Sequence, residues 1–69
     1  MLYVLINKDG KFYAGTKLKE GDTYFACLGY RLDQAQEYKN LKIAQRAREK
    51  LHKEVINKDF EVARLLDCV

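Results

Sequence analysis

Proline and tryptophan are absent from the 69 residues, histidine occurs once, cysteine twice and glycine four times. With no proline and no low-complexity tract, nothing reads as a linker, and residues 1–69 are expected to form a single domain. The N-terminal apolar run that contains Leu2 to Ile6 is far short of the ~20 residues a membrane-spanning helix requires. No charged segment with a small-residue cleavage site precedes it, so the expected compartment is the cytoplasm, with no membrane partner. Cys27 and Cys68 are then expected to be reduced thiols. Two cysteines so far apart and a lone His52 do not supply a metal-ligand set, and no metal is expected.

The same scarcity argues against catalysis. A nucleophile needs an orienting base, and His52 falls on a helix whereas both cysteines fall in strands. The carboxylates Asp9, Glu20, Asp22, Asp33 and Glu37 are scattered through loops and form no acid–base pair. Glycines 10, 15, 21 and 29 are singly placed, so no phosphate-cradling loop precedes a helix. A chain this short also has little room for both a core and a ligand pocket. The expectation is a non-enzymatic binding protein without a cofactor.

What the chain does contain is enough to fold. Hydrophobic residues make up 48%, too many for a disordered chain, and charged residues 33%, which favours solubility. A first strand is expected from about Leu2 to Asn7. Asn7 followed by Lys8, Asp9 and Gly10 fits a type I turn closed by a left-handed glycine, a three-residue hairpin loop with a bulge. That register sets Ile6 opposite Phe12 and Val4 opposite Ala14. A two-residue loop would instead pair Lys8 with Lys11, two like charges. The second strand is expected over Lys11 to Gly15, with Thr16 to Asp22 as a surface connection. A third strand is expected over Thr23 to Leu28, where Tyr24, Ala26 and Leu28 alternate with Thr23, Phe25 and Cys27.

Between Gly29 and Lys39 the pattern is weaker. Leu32 and Ala35 fit one side of a helical turn opened by Asp33, with Tyr38 pointing inward. The main helix is the clearest element: Asn40 is a good N-cap, and Leu41, Ala44, Ala47, Leu51 and Val55 recur at three- and four-residue intervals. Asn57 to Asp59 turns the chain into a closing strand from Phe60 to about Leu66. The fold class is therefore α+β: a three-stranded antiparallel meander, one helix packed on one face, and a C-terminal strand, in the order β-β-β-α-β.

Charge is unevenly spread. Residues 39–54 hold six basic and two acidic groups, whereas residues 1–38 hold five of each. Lys42, Arg46, Lys50 and Lys53, with Glu49, fall on the outer face of the helix and Lys39 lies just before it; the five basic residues either keep a solvated surface soluble or track a phosphate backbone. One helix covers one face of a sheet, so some of Tyr3, Tyr13, Tyr24 and Tyr30 are expected on the other, as protein-binding side chains with large area and a polar tip. The plainer alternative is that they pack along their strand neighbours.

Tyr3-Val4-Leu5-Ile6, the hairpin Lys8-Asp9-Gly10-Lys11-Phe12-Tyr13-Ala14-Gly15, then Leu32, Ala35 and Tyr38, the helical Ala44, Ala47 and Leu51, and Phe60-Glu61-Val62 together resemble small uncharacterised accessory proteins of phages and prophages of Gram-positive bacteria. That resemblance implies a host-takeover or anti-defence role in which a compact protein binds and blocks a host component. Residues Leu2 to Lys53 also look like the AP2-like arm-binding domain of phage integrases, where a three-stranded sheet backed by a helix reads DNA. The extra C-terminal strand departs from that pattern. Two readings follow: a protein-binding factor using the tyrosine-bearing face or an exposed sheet edge, or a nucleic-acid module using Lys42, Arg46, Lys50 and Lys53. Self-association as a homodimer through an uncovered strand is a third.

Overall fold

A computed structural model describes residues 2–68, with side chains to residue 66. Strands β1 (Tyr3–Ile6), β2 (Phe12–Glu20), β3 (Thr23–Gly29) and β4 (Glu61–Arg64) form one antiparallel sheet in the order β3-β2-β1-β4. A short 3-10 turn, Leu32–Gln34, and helix α1, Leu41–Glu54, lie between β3 and β4. This is the expected α+β order.

The first hairpin forms as its residues require. Asn7 N–H donates to the Lys11 carbonyl, Gly10 N–H donates to the Asn7 carbonyl, and Gly10 takes a φ of 79°. The Asn7 side chain also accepts from the amides of Asp9 and Lys11, at 3.0 and 2.9 Å. The turn therefore holds its own backbone groups, and the expected pairing of Ile6 with Phe12 results.

The expected pairing of Val4 with Ala14 does not form. Residues 36–38 enter between the two strands: Gln36 N–H donates to the Tyr13 carbonyl, and Tyr38 exchanges both backbone hydrogen bonds with Tyr3 at 2.8 Å. β2 departs from β1 there through Gly15, at φ 91°, whose pairing with β3 shifts between Tyr13 and Lys17. A Cβ on Gly15 would come within 2.5 Å of Gln36 Oε1, so the close approach needs a glycine as well as the backbone angle.

Beyond the split, β2 runs on to Glu20 and pairs with β3 down to Glu20–Thr23. Thr16 to Glu20 is thus strand where a surface connection was expected; cross-strand bonding to β3 supplies what its charged composition lacks. At the other end of the chain the closing strand is shorter than expected, ending at Arg64, with residues Leu65–Cys68 in a 3-10 turn.

Helix α1 starts where Asn40 caps it, its side chain accepting from Ile43 N–H at 2.9 Å. Ala44, Leu51 and the C-capping Val55 are buried, and Ala47 is partly so. Leu41, expected in the core, is 44% exposed, because it lies about 60–80° around the helix axis from the buried Ala44 and Leu51. The core joins Leu5, Tyr13, Ala26, Leu51, Val55 and Phe60, with Tyr38, Leu28 and Val62 against it. Phe60 is fully buried and meets the Tyr13 ring edge-on at 6.0 Å between centroids.

The face away from the helix is not open at its centre. Val4 alternates with Leu5 and so points the other way, yet both are fully buried. Phe12 is buried too, and the 3-10 turn packs on β2 with Gln34 over Gly29. Free surface on that side is concentrated at the far end of the β2–β3 ribbon, where Leu18 is 58% exposed and Phe25 and the unpaired Cys27 are half-buried. The expected Cys68 thiol lies outside the described side chains.

Candidate interaction surface

The four tyrosines do not share a docking face. Tyr13 is buried in the core beneath the helix, and burial, with a smaller contribution from Cys27, raises its phenol above the ordinary value. Tyr3 is half-buried and by alternation lies on the helix side with Leu5. Tyr24, also on the helix side with Ala26, is 42% exposed near the ribbon end, and Tyr30 is 72% exposed just after β3. Each of these two has a lysine ammonium over its ring, Lys19 at 5.7 Å and Lys11 at 4.8 Å from the centroid.

The basic residues of α1 do come together. Lys42, Arg46, Lys50 and Lys53 lie within about 80° of one another around the helix axis, on the side opposite Ala44 and Leu51. All four are exposed, and none has a carboxylate within ion-pair distance among the described residues. The ion pairs that do form are elsewhere: Lys17 with Glu54, Arg31 with Asp33, and Arg48 with Glu61.

The exposed sheet edge expected from the sequence, though not assigned there to a strand, falls on β2, which among the described residues has no strand beside it at Lys17 to Lys19. The Ala26 amide is held at 3.0 Å by Asn57 Oδ1, its carbonyl accepts from Asn57 Nδ2, and the Tyr24 carbonyl accepts from Ile56 N–H. These groups therefore face away from β2. In an antiparallel ladder the residues opposite them, Lys17 and Lys19, then turn their own N–H and C=O groups away from β3. β1 has already diverged, and the backbone bond of residues 36–38 to β2 is at Tyr13, so among the described residues no backbone partner meets Lys17 or Lys19 on that side. The signal was present as the polar alternation Thr16-Lys17-Leu18-Lys19-Glu20, with lysines of the kind that guard strand edges.

Next to this edge runs a groove of about 260 Å³ between β2 and α1, lined by Gly15, Lys17 and Tyr38 on one side and Ala47, Lys50 and Glu54 on the other. Burial, then the neighbouring Tyr13, pushes the Tyr38 phenol up to about 12, so it stays neutral there. Lys50 belongs to both the groove and the helix stripe. Among the described residues no group of three His, Cys, Asp or Glu side chains converges on a metal position, and no helix is long and apolar enough to cross a membrane.

His52 serves the fold. Its Nε2 accepts the Phe60 N–H at 3.2 Å, while Arg48 Nε donates to the Phe60 carbonyl. Burial first, then the Arg48 charge, holds the imidazole below its ordinary value against the opposing pull of Glu61 and Asp59. A neutral ring with its proton on Nδ1 is what that acceptor role requires.

No protein-family model, curated protein or solved structure matches the chain.

Proposed function

We propose that this chain is a non-enzymatic protein-binding module whose docking element is the open edge of β2. The observation that carries this reading is that Lys17 and Lys19, exposed residues of a well-formed strand, turn their N–H and C=O groups away from β3 and meet no backbone partner among the described residues. Unmet backbone groups on a rigid edge are the means by which sheets recruit an additional strand. The host-takeover or anti-defence role implied by the phage-protein resemblance is one setting in which such a module would act, by occupying a strand site on its target.

The test uses Lys19→Pro. Proline there removes an N–H that points away from β3 and leaves the β2–β3 ladder intact. Tagged protein should retain a partner from host lysate after nuclease treatment and at about 0.5 M salt, where exposed charge pairs are screened. Lys19→Pro, checked for an unchanged circular dichroism spectrum, should lose it. Retention by the variant, or loss on nuclease treatment, rejects the reading.

A second reading is favoured by the helix stripe. Lys42, Arg46, Lys50 and Lys53, opposite the core and without carboxylate partners among the described residues, suit contact with a nucleic-acid backbone. Four phosphate contacts would give duplex DNA binding a log–log salt slope of roughly −3.6. Failure to bind DNA or RNA duplexes at about 50 mM salt removes it.

A further inference from the structure

The chemistry of the β2 edge narrows what it would accept. We propose that it takes an extended acidic peptide segment as an added strand, seated along the groove between β2 and α1 with carboxylates toward Lys19 and Lys50. This rests on the protein-binding reading above and adds the partner's chemistry to it.

Three observations converge. First, Lys17 and Lys19 each offer one donor and one acceptor along the edge, in the alternation that a peptide backbone matches. A phosphate backbone only accepts, and would meet the two carbonyls unfavourably. Second, the groove floor passes Gly15 and Tyr38, and its far wall is α1, so an added strand would have side-chain contacts beyond its backbone bonds.

Third, the charge pattern is one-sided. Lys17 and Lys19 alternate with Leu18, so both ammonium groups lie on the helix side and Leu18 on the other. Glu54 is the acidic group facing the groove, and Lys17 already pairs with it. Lys50 lines the groove with no carboxylate partner among the described residues. An incoming strand would therefore place alternate carboxylates toward Lys19 and Lys50 and the intervening apolar side chains beside Leu18. A second copy of this chain is disfavoured at the same edge, because self-pairing would oppose Lys17 and Lys19 with their own counterparts.

The experiment titrates the full chain with capped eight-residue peptides while amide exchange is followed residue by residue. A peptide alternating Glu and Val should bind saturably and slow exchange at Lys17 and Lys19 by about tenfold or more at saturation. Lys50→Glu should weaken it about tenfold, or ~1.4 kcal/mol, and Lys19→Pro should abolish it. A peptide alternating Lys and Val, and a short DNA duplex, should leave the two amides unchanged. No binding of the acidic peptide, equal binding of the basic one, or binding without slowed exchange at these amides overturns the inference. If the acidic peptide is inert while lysate capture is still lost in Lys19→Pro, the edge remains the docking element and only its acidic preference is rejected. If capture is also indifferent to Lys19→Pro, both readings fall.

Discussion

Asn57 satisfies both backbone groups of Ala26, accepting from its N–H at 3.0 Å and donating to its carbonyl at 3.4 Å. The residue two positions past the C-capping Val55 thus closes the outer edge of a strand 31 positions earlier in the chain. Asn57→Ala should lower stability by about 1–2 kcal/mol, since it uncovers two partly buried polar groups. For a domain of this size that is a fall of about 4–8 °C in Tm per kcal/mol, measurable by thermal circular dichroism. Asn57→Asp, which keeps the acceptor and loses the donor, should fall between the two.

Gly15 and Gln36 make a second coupled pair. Gly15→Ala meets both a positive φ and the Gln36 side chain, whereas Gly10→Ala meets only the backbone cost, with nothing within 4 Å of its Cβ. Gly10→Ala should cost about 1–2 kcal/mol and Gly15→Ala more. Adding Gln36→Ala should return part of the Gly15→Ala loss and none of the Gly10→Ala loss, as urea midpoints of the two double-mutant cycles would show.

These two pairs mark where local sequence stops being informative. The Asn7–Gly10 turn and the Asn40 cap were legible because each residue acts on backbone groups within four positions of itself. The entry of residues 36–38 between β1 and β2 was not, since it depends on Tyr3 and Tyr13 meeting a segment more than twenty residues away. The missed half of β2 has the same origin: Thr16 to Glu20 is polar because it is an exposed edge, and composition alone reads that as a loop. Alternation correctly separated Tyr24 and Ala26 from Phe25 and Cys27, but it could not say which set the helix covers. The basic helix stripe was readable at once, because a helix fixes the angular position of its side chains.

On the acid side, the His52 interaction with Phe60 predicts a loss of stability. The folded-state pKa of His52 is depressed, so its contribution is complete above the unfolded value of about 6.5 and is lost as pH falls through the lower folded value. Urea midpoints should therefore drop as the pH falls below about 6.5. His52→Gln, which does not titrate, should be flat over that range; an equal slope in the variant would assign the loss elsewhere.

The alkaline limb has the opposite sign. Tyr38, raised to about 12, and Tyr13, raised in the same direction, are protonated in the folded chain after their unfolded counterparts near 10 have ionised. Their contribution is present below pH 10 and is lost as pH rises toward 12. Tyr38→Phe should blunt that loss, read as the pH midpoint of alkaline unfolding followed by phenolate absorbance.

The placement of the tyrosines also makes the chain its own optical reporter. With no tryptophan to mask them, phenol rings dominate its near-ultraviolet signals. Tyr13 and Tyr38 sit in asymmetric packed surroundings, whereas Tyr24 and Tyr30 are open to collisional quenchers. Circular dichroism near 275 nm will therefore follow the interior, while quenching by iodide or acrylamide follows the outer rings, and occupancy of the ribbon end can be separated from unfolding without attaching a label.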